Sequence, residues 1–160
     1  SAALAYAMSG HLVVATLHST NSSHARNRVI SFYPPETRQA LFQDMSVAVK
    51  AIVSQRLVVG VDGRRLPAAE VLINTPMIRD LLRRGQVHEI KMAMEESLED
   101  GMQSFDQCLF RLYKEGKIEM EEALKAADSR DGLALKFRLS EGGTGEHDPY
   151  ADVFNAGIAH

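Results

Sequence analysis

Gly10-His11-Leu12-Val13-Val14-Ala15-Thr16-Leu17-His18-Ser19 is the stretch on which the fold turns. Residues 11–17 form a near-continuous apolar run with β-branched Val13, Val14 and Thr16, and the run follows a glycine. A run of about 4–8 such residues reads as a strand buried on both faces, the kind found inside a parallel sheet. Ser19-Thr20-Asn21-Ser22-Ser23 comes next, small and polar throughout. It reads as a loop that caps the following helix. Upstream, residues 1–8 are Ala-rich and suit the end of a helix stopped at Ser9-Gly10. The expected class is α/β.

Working outward, a short helix is expected over 23–31, ended by Phe32-Tyr33-Pro34-Pro35. Pro35 suits a first helical position, with Glu36 favoured by the helix dipole. Leu41, Met45, Ala48 and Ile52 recur at helical spacing, and Phe42 and Val49 widen the stripe. Residues 53–61 read as a strand, Asp62-Gly63 as a hairpin turn, and 66–73 as the returning strand. Thr75-Pro76 is an N-cap with proline behind it, opening a helix that Gly85 closes. A second helix is expected over 87–98. Ser104 with Gln107 is a capping box for a third, which turns Phe105, Cys108, Leu109 and Leu112 inward. Gly116 before apolar Ile118 fits a left-handed C-terminal cap, and 119–127 a fourth helix. Leu133, Leu135, Phe137 and Leu139 alternate with Ala134, Lys136 and Arg138, which reads as a short strand, with a final helical turn as the alternative. The chain thus divides into an α/β part, 1–74, a helical part, 75–139, and a glycine-rich tail, 140–160, read as flexible.

Of the 160 residues, 45% are hydrophobic and 24% charged, enough to bury a core and too apolar for wholesale disorder. With 18 Lys+Arg against 21 Asp+Glu, the net charge of −3 lacks the basic excess of a general nucleic-acid binder. The single cysteine, Cys108, excludes an internal disulfide framework and a Cys-rich zinc site. No run reaches the roughly 20 apolar residues needed to span a bilayer, and no signal peptide is visible, so the chain reads as soluble and cytosolic. It begins with Ser1 inside a helix-like stretch, as a truncated or internal piece would.

His18 would stand at the carboxyl end of the 11–17 strand, where open α/β sheets bind their ligands. Two readings are open: an imidazole satisfied by loop backbone groups, or one that donates to a phosphate and reports its presence. The other histidines lack metal-ligand spacing, and no metal site is expected. Cys108 lies on an apolar stripe and reads as core. Arg79 and Arg83 lie one turn apart on one helix, and Glu95, Glu96, Glu99 and Asp100 cluster at the end of the next. These are either solvated faces or a docking surface, basic in one place and acidic in another. Glu70, opposite the strand that carries Arg56, is a candidate for a cross-strand ion pair. There is no G-x-x-x-x-G-K-[ST] loop, no G-x-G-x-x-G and no acid pair at the end of an apolar strand. By itself the segment supplies neither a phosphate cradle nor a magnesium ligand.

The 10–19 stretch closely resembles the His box of the type II and type IV secretion and pilus ATPases. Ala25, Arg28-Val29-Ile30 and Phe32-Tyr33-Pro34 look like the helix that follows it, with Asn27 where an aspartate is more usual. Ser54-Gln55-Arg56-Leu57 and Glu70-Val71-Leu72 are similar to further shared segments. Thr75-Pro76-Met77-Ile78-Arg79-Asp80-Leu81-Leu82-Arg83 looks like the helix that twitching-motility retraction ATPases need for retraction. Met77, Asp80, Leu82 and Arg84 depart from the PilT pattern. Val87-His88-Glu89-Ile90-Lys91, Gly101-Met102-Gln103-Ser104-Phe105-Asp106-Gln107 and Ala127-Asp128-Ser129 are closer to the PilU branch. The resemblance to this PilT/PilU family runs over about 1–139.

The resemblance implies an α/β fold: the C-terminal part of a RecA-like P-loop ATPase sheet with a β-hairpin, followed by a small helical subdomain. It implies a hexameric parent that uses ATP and Mg2+, both held by segments upstream of this chain. It makes His18 a γ-phosphate contact, with Thr16, Gln55 and Arg56 as further nucleotide-binding candidates. It makes Met77, Ile78, Arg79, Leu81, Leu82 and Arg83 candidates for passing force to a partner. The implied partners are other copies in a homo-hexamer, a paralogous retraction ATPase and the inner-membrane platform protein of the pilus, with no nucleic acid. The implied location is the cytoplasmic face of the pilus base. The alternative expectation is a non-enzymatic assembly or docking module.

Overall fold

A computed structural model describes residues 2–16, 21–97 and 101–141, with the backbone alone at Ser22, Ser23, Arg26 and Glu141. In chain order the helices are α1 (Ala2–Met8), α2 (Ser22–Ser31), α3 (Arg38–Ala48), α4 (Pro76–Arg84), α5 (Ile90–Glu95), α6 (Phe105–Lys114), α7 (Met120–Ala126) and α8 (Arg130–Glu141). A 3-10 turn at Pro35–Thr37 leads into α3. Strands β1 (Ala51–Val59) and β2 (Arg65–Ile73) lie between α3 and α4 and pair antiparallel, Ala51 opposite Ile73 and Val59 opposite Arg65.

The local signals act as expected in the second half. The hairpin closes through Asp62-Gly63, with Gly63 at a φ of 76°, and Gly60 N–H donates to the Arg64 carbonyl at 2.7 Å. Thr75 Oγ1 accepts from Ile78 N–H at the start of α4, and Gly85 ends that helix at a φ of 73°. A Cβ on Gly85 would come within 2.9 Å of the Phe42 ring, so that position is restricted by space as well as by backbone. Ser104 and Gln107 form the reciprocal capping box of α6.

Two cores flank the hairpin. Val58 and Ala68 pack with Phe105, Leu109 and Leu112 of α6, Ala123 of α7, and Leu133 and Phe137 of α8. Leu72, two turns of pleat away, packs with Ile78, Leu81 and Leu82 of α4 and Ile90 and Met94 of α5. One face of the hairpin thus serves both helix sets, because even-numbered side chains from Ile52 to Val58 and from Leu66 to Leu72 share that face.

The two edges of the hairpin differ. Along β2, Val71 exchanges both backbone bonds with Gln103, at 2.9 and 3.0 Å. The Gln103 side-chain amide donates to the Ala69 carbonyl at 2.9 Å, Ala69 N–H donates to Cys108 Sγ at 3.4 Å, and Pro67 has no N–H to leave open. Because Val71 faces outward, its opposite number Val53 also points its backbone groups away from the pair, as do Gln55 and Leu57. On that β1 edge Val59 N–H reaches Glu122 Oε1 at 2.8 Å. The outward groups of Val53, Gln55 and Leu57 find no bond among the described residues.

Three expectations are corrected. Residues 11–16 are not a buried strand: they form no ladder with any described strand, and Leu12 and Val14 are 90% and 85% exposed. A strand of that type needs neighbours on both sides, and the only sheet among the described residues is the hairpin. Residues 133–139 lie within α8 rather than in a strand, because Leu133, Ala134 and Phe137 supply an i, i+1, i+4 face that packs on α6 and α7. The helix expected over 87–98 is only α5, preceded by a turn. The expected tail, from 142 onward, lies outside the described residues.

Candidate functional site

Of the residues singled out for nucleotide contact, the structure describes Thr16, Gln55 and Arg56. Thr16 is exposed at the end of the unpaired segment, and His18 lies outside the described residues. Gln55 and Arg56 are neighbours on β1, so the pleat turns them to opposite faces. Gln55 is exposed on the outer face beside Val53, Leu57 and Val59, while Arg56 turns inward. The register sets Glu70 across from Ser54, with Arg56 across from Ala68, so the expected cross-strand pair is not a directly opposed one.

Arg56 instead joins a cluster drawn from distant parts of the chain. Its guanidinium forms an ion pair with Asp128, in the link between α7 and α8. It also donates to the Ala126 carbonyl at 2.7 Å and lies 4.1 Å over the Phe105 ring. Asp106, in the first turn of α6, accepts the backbone N–H of Asp128 at 2.8 Å and of Ser129 at 3.1 Å. That carboxylate therefore caps the approach to α8 from another helix. Ser129 Oγ then accepts Gly132 N–H at 3.3 Å. Lys91 Nζ of α5 stands 3.7 Å from Asp106 and 3.9 Å from Asp128. Asn21, the N-cap of α2, accepts His24 N–H at 2.8 Å and donates through Nδ2 to Asp128 at 3.5 Å. Two carboxylates and two cations balance, and the Asp106 and Asp128 side chains are 5% and 12% exposed. Balanced charge and shared hydrogen bonds are what make such burial tolerable.

A second surface lies on α4. Of the six residues singled out there, Ile78, Leu81 and Leu82 are core and hold the helix down. Met77, Arg79 and Arg83 face outward. Arg83 and Arg84 both pair with Asp80, at 3.1 and 2.9 Å. An open groove of about 300 Å³ between α3 and α4 is lined by Ser46, Val47, Pro76, Arg79, Asp80 and Arg83. Elsewhere, the Lys117 ammonium, at 2.7 Å, holds the exposed Glu115 carboxyl below the usual carboxylate range, with Arg111 adding to the effect.

Sequence reasoning found Arg56 but missed Lys91, Asp106 and Asp128 as its companions. One local signal was present: Asp128-Ser129 precedes α8 as an N-cap pair would. Among the described residues, no group of three or more His, Cys, Asp and Glu is arranged to hold a metal ion. No described helix is long and apolar enough to cross a membrane.

No family model matches the chain. It is 45% identical over 146 residues to the type IV pilus ATPase PilU of Pseudomonas aeruginosa, a match covering 91% of this chain and 38% of that protein. It is 35% identical over 125 residues to the type IV pilus retraction ATPase PilT of the same organism, covering 78% of this chain and 36% of that protein. The crystal structure of the pilus retraction motor PilT with bound ADP superposes with a TM-score of 0.75 at 30% identity, covering 84% of this chain and 37% of that one. The chain thus spans little more than a third of the length of these relatives.

Proposed function

Because the chain belongs to the PilT/PilU family of type IV pilus ATPases, we propose that it is the C-terminal part of a motor that powers pilus retraction and twitching by binding and hydrolysing ATP. In this reading residues 1–74 end the motor core and 75–139 form its helical subdomain. The parent is a cytoplasmic homo-hexamer at the inner-membrane pilus base, working on the pilus platform protein and beside a paralogous retraction ATPase. The observation that carries the reading is a match to PilU that runs through both the hairpin half and the helical half. The open β1 edge, the apolar outer face at Val53 and Leu57, and the exposed 11–16 segment support it. These are surfaces suited to lie inside a larger sheet.

This chain does not itself fit a nucleotide. It has no G-x-x-x-x-G-K-[ST] loop, and ATP and Mg2+ would be held by other segments of the parent. What this chain would add is His18, whose ring can donate to a terminal phosphate oxygen and so distinguish triphosphate from diphosphate. In the full-length protein, His18→Ala should lower hydrolysis by about 10²-fold or more, the ordinary worth of a well-placed proton or hydrogen-bond donor, while the ring still assembles. Unchanged turnover removes the sensing role.

The exposed side of α4 favours a docking role for that helix within the same parent. Met77, Arg79 and Arg83 face outward, where a partner can reach them, while Ile78, Leu81 and Leu82 anchor the helix. Charge reversal at Arg79 and Arg83 should leave ATP hydrolysis intact and abolish retraction in a twitching assay. Loss of both together would mean the helix serves hydrolysis itself.

A further inference from the structure

Helices α4 and α5 each present charge that the described chain leaves unanswered. On α4, Asp80 is held by both Arg83 and Arg84, at 3.1 and 2.9 Å. Arg79, which lines the same groove, forms no ion pair among the described residues. On α5, Ile90 and Met94 are core, and Lys91 turns toward Asp106 and Asp128. That leaves Met92, Glu95 and Glu96 as the exposed face, since residues three and four apart share one side of a helix. Glu95 and Glu96 also form no ion pair among the described residues. They stand at the C-terminal end of α5, where the helix dipole disfavours negative charge. A cation brought from outside would relieve that repulsion.

The groove between α3 and α4 has the matching chemistry. It offers Val47, 56% exposed, and Pro76 as apolar surface, and Arg79 and Arg83 as cations. The spacing matches too: Pro76 and Arg79 are three residues apart on α4, as Met92 and Glu95 are on α5. Laid parallel in the groove, an α5 helix sets Met92 on Val47 and Pro76 and brings Glu95 level with Arg79. Glu96 then falls within reach of Arg83. Among the described residues, no ion pair joins these two faces within one chain.

We propose that α5 of one copy docks through Met92, Glu95 and Glu96 into the α3–α4 groove of a second copy. The proposal rests on the docking reading of α4 given above and names the partner of that face as another copy of this chain. Opposite charge on the two faces sets the orientation and rejects the reverse pairing. The contact is head to tail, the kind from which rings are closed. One short helix in an open groove buries less than the roughly 1,000 Å² a lasting interface needs. Other segments of the parent therefore hold the ring together, and this contact ties α4 of each subunit to α5 of its neighbour.

The test uses the full-length protein that carries this chain. Copies with Arg79→Cys are co-expressed with copies carrying Glu95→Cys and treated with a short bismaleimide, and the linked peptides are read by mass spectrometry. In that mixture a 79–95 link can form only between copies, and a link through Cys108 has a different mass. The 79–95 link should form. In a second arm, Arg79→Glu should lower pilus retraction about tenfold, because like charges then face each other, with ATP hydrolysis unchanged. Adding Glu95→Arg should restore retraction to within about threefold of the wild type, as coupled positions do. Both side chains are exposed, so neither change threatens the fold. Absence of the 79–95 link, or failure of Glu95→Arg to restore retraction, overturns the contact between copies. If Arg79→Glu nonetheless lowers retraction, the docking reading of α4 stands with a different partner. If Arg79→Glu leaves retraction unchanged, the docking reading and the contact between copies fail together.

Discussion

Residues 11–16 and α6 are both dense in apolar side chains, and the fold treats them oppositely. Leu12 and Val14 stand in solvent, whereas α6 buries Phe105, Cys108, Leu109 and Leu112. Alpha-helix α6 satisfies its backbone internally and needs only a face to lie on, which β2, α7 and α8 provide. The 11–16 segment has the composition of a central strand, and such a strand needs hydrogen-bonding neighbours before its side chains can be covered. Hydrophobicity therefore states a demand for cover, and local structure decides whether this chain can meet it.

That contrast predicts a large asymmetry in stability. Phe105→Ala should cost about 3–5 kcal/mol in urea unfolding of this chain, the usual price of emptying an aromatic core position. Leu12→Ser and Val14→Ser should stay within about 0.5 kcal/mol in the same measurement. Similar losses at all three positions would show that 11–16 is packed after all, and the comparison would be void. The comparison sharpens at the polar heart of the packed half. Asp106→Ala should cost about 3 kcal/mol, because it strips the two N–H groups ahead of α8 of their acceptor and leaves Lys91 facing one carboxylate fewer. A cost below about 0.5 kcal/mol, the range of ordinary surface changes, would mean that water replaces Asp106 freely.

The smallest effect is at the surface, at the C-cap of the same helix. The carboxyl of Glu115 is held low chiefly by its hydrogen bond to Lys117. Its folded value lies below its unfolded one, so its contribution to stability is present above the unfolded value and vanishes as pH falls through the folded one. Glu115→Gln should slightly flatten the acid side of a stability–pH curve, and leave its shape unchanged if the exposed pair is fully screened.

The readable parts of the fold were those whose cause is local. Asp62-Gly63 specifies its turn from two residues, Thr75-Pro76 and Gly85 specify both ends of α4, and Ser104 with Gln107 specifies the start of α6. Where the outcome depends on packing, pattern alone misled. Alternation in 133–139 is equally compatible with a helical face built on Leu133 and Phe137, and contact with α6 and α7 selects the helix. The candidate site was the least legible part. Arg56 was marked by resemblance, but its partners Ala126 and Asp128 lie 70 and 72 residues away, and no spacing rule connects residues so far apart. His18 was reasoned from a strand end that the described fold does not contain.

The sealing of β2 by Gln103, Cys108 and Pro67 gives the hairpin a handed future. Any further strand can join only at β1, so growth of the sheet has one growing end and one blocked end. An incoming chain has a single seam to find, and two hairpins meeting by chance can pair only through that same seam, which caps mispairing at a dimer instead of a fibre.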